Sequence, residues 1–250
     1  MKNFITKNNL FSIAGILLVL IIWELLSVIA GSEQIFPSPE RTILTVFKVI
    51  LSTGFWPSLL LTIGRGLIGF VISFLLAFMI GIPAGLNRSV FLLVNPLLIT
   101  LRSTPVISLI LLAIIWLGNE KVPVFIAILT MFPIIATNII EGIRHVDKSL
   151  IEMGRIYKIN NYRILRYISI PSIIPFIFSG VSTALGFGWR AIIIGEVLAQ
   201  PIFGIGTQMQ NAQIYLQVSE LIAWTFIAVG ISYLFEWVLR KIEKTIIIWK

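Results

Sequence analysis

Apolar residues in this chain come in long, unbroken runs separated by short polar segments. A helix needs about 20 mostly apolar residues to cross a bilayer. Six stretches qualify: Leu10–Ala30, Leu59–Leu86, Val90–Leu117, Val122–Ile140, Pro171–Ala199 and Leu221–Leu239, the third interrupted by Arg102. Their apolarity is continuous rather than alternating, which predicts helices and not barrel strands. The expected fold is therefore all-α, a polytopic membrane protein with six transmembrane helices, read as a single transmembrane domain over residues 1–250. Lys2 and Lys7 precede the first run, but that run has full span length, contains Trp23 and Glu24 and lacks an A-x-A site. It is read as a retained helix rather than a cleaved signal.

Composition agrees with this pattern. Hydrophobic residues make up 58% of the chain and charged residues only 12%, about half the share usual in a soluble domain. The absence of cysteine excludes disulfides, thiolate chemistry and Cys-based metal sites, and one histidine, His145, cannot form a histidine cluster. The formal charge of +8 sits in the segments between runs. If the N-terminus is placed in the cytoplasm, thirteen Lys and Arg fall on that side and three (Arg41, Lys48, Lys121) on the other. The asymmetry predicts both termini inside.

Two connections are longer than turns: Gly31–Ser58 outside, opening with Phe36-Pro37-Ser38-Pro39, and Glu141–Ile170 inside. In the second, Ser149 and Glu152 have the spacing of a capping box and predict the start of a short helix. Asn160 suits the N-cap of a second helix through Ile164, Leu165 and Ile168. Pro171 is expected to end the loop and open the fifth span. One face of the pair is apolar (Leu150, Ile151, Met153, then Ile164, Leu165, Ile168) and the other basic (Arg155, Lys158, Arg163, Arg166). Such a hairpin suits anionic lipid or a cytoplasmic partner equally.

Five charges lie in or near spans: Glu24, Arg65, Arg102, Arg190 and Glu196. An ionisable group at bilayer depth is costly and usually pairs or faces a cavity. Glu24 and Arg65 are expected to reach toward an interface. Arg190 and Glu196, six residues apart, are poorly placed for mutual contact on one helix. Together with Arg102 they are candidates for the pathway or for pairing within the bundle. Gly81 and Gly85 form a G-x-x-x-G face suited to close helix packing.

The segment Glu152-Met153-Gly154, followed by Ile168-Ser169-Ile170-Pro171, resembles the "EAA" loop of ABC importer permeases. Further motifs resemble the nitrate/sulfonate/taurine-type branch in order along the chain: Trp23-Glu24-Leu25-Leu26, Phe36-Pro37-Ser38-Pro39, Arg65 before Gly69-Phe70, Gly81-Ile82-Pro83-Ala84-Gly85, Trp116-Leu117-Gly118, Trp189-Arg190 with Glu196, and Gly204-Ile205-Gly206. The resemblance implies a type I ABC importer permease fold. It implies three kinds of partner: ABC ATPase subunits, a second permease copy or paralogue, and an extracytoplasmic substrate-binding protein. It also implies that residues 141–170 form the ATPase-coupling loop, with Ser149, Glu152, Met153, Gly154, Lys158 and Pro171 as its markers. Lys158 stands where the family has the turn glycine, and a lysine kept in the left-handed conformation there costs about 1 kcal/mol or more.

The chain has no G-x-x-x-x-G-K-[ST] phosphate loop. No cofactor is expected on it; ATP and magnesium are expected on the ATPase, and the location is expected to be a bacterial or archaeal cytoplasmic membrane. The implied cargo is a small organic or inorganic anion or a vitamin-like compound. An ion-gradient transporter would instead show inverted repeats and midplane carboxylates, and a membrane enzyme would need a catalytic constellation; neither is visible. A membrane scaffold is a further alternative, which association with an ATPase would separate from a permease.

Overall fold

The computed structural model describes residues 7–246, Glu33 excepted. Lys2 and Lys250, two of the charges counted above, lie outside the described residues. The described residues are helical with short connections and no strand. Five helices are long and apolar enough to cross a membrane, and a bent pair provides a sixth crossing candidate.

The first helix, α1 (Lys7–Ala30), stands apart, with none of its apolar window buried in the chain. It is pinned near its end by the Phe36-Pro37-Ser38-Pro39 segment. Trp23 Nε1 donates to the Pro37 carbonyl at 2.9 Å, and Ser27 Oγ donates to that of Phe36 at 3.1 Å. Ser38 then caps α2 (Pro39–Ile50) by accepting from the Arg41 amide, with Pro39 at the first turn where a missing N–H costs nothing. The long connection Gly31–Ser58 thus contains an amphipathic helix. Glu24 is exposed on α1, six residues and about 9 Å from its end.

Helix α3 (Phe55–Leu86) leads into α4 (Arg88–Ser103) and α5 (Val106–Leu117). The third predicted span, Val90–Leu117, is not one helix: α4 and α5 meet at 96°. Pro105, rather than Arg102, makes the break. A proline pushes its predecessor out of the helical region, and Thr104 is extended (φ −71°, ψ 130°).

Helix α6 (Val122–Arg144) is the centre of the bundle, with more than half of its span buried. It packs between α3 and α9 (Ile170–Ala199), and small residues make the approach possible. A Cβ on Gly81 would lie 3.2 Å from the Ala136 carbonyl and from Ile139, and one on Gly85 would lie 2.7 Å from Ile143. On the other side, a Cβ on Gly180 would lie 2.6 Å from Asn138. The G-x-x-x-G face of α3 is therefore a contact with α6, the kind of close backbone approach that drives association in lipid.

Between α6 and α9 lie α7 (Lys148–Ile156), α8 (Asn161–Ile164) and a π-helical turn (Leu165–Ser169). After α9 come α10 (Ile205–Ile214) and α11 (Val218–Ile246). The bundle thus has a loop end, carrying α7 and α8, and an opposite end carrying α10.

Arg65 does not reach for an interface. It is 7% exposed and its Nη1 donates to Glu196 at 2.7 Å and to the Phe203 carbonyl at 2.6 Å. Its Nη2 meets Glu120, in the α5–α6 turn, at 2.7 Å. Glu196, wholly buried, also accepts from Thr62 Oγ1 at 2.9 Å and from the Gly206 amide at 3.0 Å. Thr62 in turn accepts from the Ile205 amide, and Glu120 from that of Ile202. One arginine and two carboxylates therefore tie α3, α9, the α5–α6 turn and the first turn of α10 together. A buried carboxylate with this many donors is satisfied only as a set. Arg65→Met, which strands Glu196 without a cation, is expected to cost about 3–5 kcal/mol in thermal or denaturant unfolding in detergent. Adding Glu196→Gln should recover part of that loss; no recovery would contradict the pairing.

Candidate coupling hairpin and polar face

At the loop end, the helix start lies two residues earlier than the S-x-x-E spacing predicts. Asp147 is the N-cap, accepting from the Ser149 amide at 2.8 Å and from the Ser149 hydroxyl at 2.6 Å. Ser149 sits inside the first turn, so no capping box forms with Glu152. The aspartate wins because its charged oxygen can accept two donors at once. The Ser149 hydroxyl and amide hold the Asp147 carboxyl below its ordinary range. The cap is therefore complete above that ordinary range and is lost as pH falls through the lowered value. Glu152 and Met153 are exposed, and among the described residues Glu152 has no hydrogen-bond or ion-pair partner.

Gly154 is the one buried residue of α7. A Cβ there would lie 3.1 Å from Ile164 Cδ1, so the glycine lets α7 fold down on α8. The chain reverses at Lys158, which has φ +54°. The Ile159 amide donates to the Gly154 carbonyl and the Lys158 amide to that of Arg155, both at 2.9 Å. These two bonds make a Schellman C-cap with Lys158 in the left-handed position. The turn that glycine commonly makes is made here by a lysine.

Asn160 caps α8 by accepting from the Tyr162 amide at 3.1 Å, as its position predicts. Pro171 does not separate the loop from the fifth span. The helix runs without a break from Asn161 to Ala199, 39 residues, through the π turn. The widened turn just before Pro171, where Ile170 bonds back to Leu165, adjusts the backbone ahead of the missing proline N–H. The α8 arm of the hairpin is thus the start of α9 itself, about 58 Å of continuous helix, and α7 is a separate helix folded back on it.

Arg102, Arg190 and Glu196 separate into two environments. Glu196 belongs to the buried network. Arg102 and Arg190 are exposed on one polar face of the chain. Arg102 Nη1 donates to Thr137 Oγ1 at 3.0 Å, beside a cavity of about 480 Å³ between α4, α6 and α9. Arg190 lines an adjoining groove of about 340 Å³ between α9 and α11, with Ser182, Thr183 and Ser232. A third groove, about 640 Å³, continues toward the loop end past Ser179, Arg240 and Lys244. The two arginines stand out in the sequence as charges within spans, whereas the stripe that joins them is a separate and weaker pattern. Ser179, Ser182, Thr183, Gly186 and Arg190 recur at helical spacing inside an apolar run, a signal that was readable. The partners of Arg65, by contrast, are 55 and 131 residues away in the chain, and no local pattern marks them.

With this geometry in hand, residues 73–247 match the family described as "Binding-protein-dependent transport system inner membrane component". A putative aliphatic sulfonates transport permease of Bacillus subtilis is 28% identical over 94% of this chain and 87% of its own length. Its counterpart from Escherichia coli is 31% identical over 82% of this chain and 78% of its own. A bicarbonate transport system permease of Synechococcus elongatus is 29% identical over 93% and 90%. Among solved structures, an inward-facing methionine ABC transporter matches with a TM-score of 0.60 at 17% identity, covering 78% of this chain and 99% of that one. An amino acid ABC transporter matches with a TM-score of 0.57 at 18% identity, covering 75% and 90%. These two likenesses establish the fold as that of ABC importer permeases.

The left-handed lysine gives a test: Lys158→Gly should stabilise the hairpin by up to about 1 kcal/mol, read as greater amide-exchange protection over residues 150–156, and unchanged or lower protection would contradict the strain. The chain is a multi-pass membrane protein, and it belongs to the family of inner membrane components of binding-protein-dependent transport systems, in the nitrate/sulfonate type of ABC importer permease.

Proposed function

We propose that the chain is the translocation subunit of an ATP-driven importer, with its loop end and both termini in the cytoplasm. Two copies, or this chain and a paralogue, close the polar face into a pathway. A binding protein delivers the solute at the α10 end. ATPase subunits, which hold the ATP and magnesium, seat on α7. The cargo is a small anion of the class named for the sulfonate and bicarbonate relatives.

One observation carries this reading. The α7–α8 hairpin presents an exposed Glu152, Met153 and Tyr157 on its α7 arm, which Gly154 packs against α8, and α8 is continuous with α9. A partner that moves this hairpin moves α9, and α9 bears both Arg190 on the polar face and Glu196 in the network at the far end. A loose loop, or a hairpin lying on lipid, needs no such connection. Glu152 is the polar anchor for the ATPase, because it is charged, exposed and unused within the chain.

Two variants test the proposal. Glu152→Arg should reduce co-purification of the ATPase without changing the amount of chain inserted in membranes. Gly154→Leu, whose side chain meets Ile164, should do the same by opening the angle between α7 and α8. Normal co-purification and normal uptake in both variants would refute the coupling role.

A further inference from the structure

Polar groups on membrane-spanning helices are expensive against lipid, and those that persist face a bundle interior or a watery path. The molecule contains an arginine of each kind. Arg65 is buried and held by two carboxylates and a carbonyl. Arg102 and Arg190 are exposed, and among the described residues neither has a carboxylate within ion-pair distance. The nearby acids do not change this. Glu236 shares the Arg190 groove but is bound to Arg240 at 2.6 Å. Glu141 lies one turn beyond Thr137 on α6, toward the loop end, and makes no ion pair.

Thr183 and Phe187 line both the Arg102 cavity and the Arg190 groove, so the two spaces meet across α9. Arg190 lies seven residues beyond Thr183 toward the α10 end, about 10 Å along the helix. We infer that Arg190 and Arg102 are two successive stations for an anionic solute, Arg190 met first from the α10 end, and that they set the charge selectivity of the pathway. This rests on the importer reading and adds to it the residues that make the permease itself selective. The guanidinium fork matches the oxygens of a sulfonate or carboxylate. Ser182 and Thr183 add neutral donors beside the two forks, and Thr137, whose hydroxyl donates to the Pro133 carbonyl, accepts from Arg102 and positions it. Two exposed stations at different depths hold an anion weakly enough to release it, which passage requires. A cation meets two uncompensated positive charges on the same route.

The natural absence of cysteine permits a direct test. Thr183→Cys is introduced into the chain, which is assembled with its ATPase in nanodiscs. Its reaction with anionic sulfonatoethyl methanethiosulfonate is compared with that of the cationic trimethylammonium-ethyl reagent. Labelling of the permease chain is read by mass spectrometry, and the rate ratio is divided by that of free 2-mercaptoethanol. The normalised ratio should favour the anion by roughly tenfold. It should fall toward one in Arg190→Gln and Arg102→Gln, and ethanesulfonate should slow the labelling. A ratio of one or below, a ratio unmoved by both substitutions, or no labelling by either reagent would overturn the stations. Failure of the ATPase to co-assemble with the Thr183→Cys chain would instead count against the importer reading. Co-assembly without charge selectivity would remove the stations alone.

Discussion

Lipid does not press helices together as water does, so the bundle depends on how closely α3 and α9 can approach α6. Glycines and alanines at the two seams set that distance. Gly81 and Gly85 seat α3 against Ile139 and Ile143, and Gly180 seats α9 against Asn138. With backbones this close, α3, α6 and α9 form a three-helix core to which the other elements attach at its edges. Helix α1, buried nowhere along its apolar window, shows the contrast: it is attached through Trp23, Ser27 and the Phe36–Pro39 segment.

The core is closed at one end by charge and bent back at the other. At the α10 end, Glu120, Thr62 and Glu196 accept from the amides of Ile202, Ile205 and Gly206, and Arg65 donates to both carboxylates and to the Phe203 carbonyl. At the loop end, α9 extends through a π turn into α8 and folds back as α7. The same helix therefore touches both ends and carries the polar stripe between them. That continuity places the α8 arm of the hairpin and Arg190 on one helix.

Much of this was legible in the sequence, because spans, caps and turns are local. The apolar runs marked the crossing helices, Asn160 the cap of α8, and the spacing of Gly81 and Gly85 the α3–α6 seam. Local rules also misled where a competing neighbour was stronger. Asp147 displaced Ser149 as the cap, and Pro105 rather than Arg102 broke the third span. Pro171 lay within a continuous helix because a π turn accommodated it. The role of Arg65 was not legible, since its carboxylates come from distant turns and only the fold assembles them. The family resemblance pointed to the same loop, and the geometry added that Lys158 keeps the left-handed turn.

On the proposed function, a separate ATPase grips the chain at the α7–α8 hairpin. The most direct measurement places a photoreactive maleimide on Met153→Cys, an exposed position in a chain without other cysteines. Irradiation of membranes containing the ATPase should yield an adduct between the two proteins, with a yield that changes on adding ATP. No such adduct, together with efficient capture of the ATPase by the same probe on Ile202→Cys at the opposite end, would contradict the account.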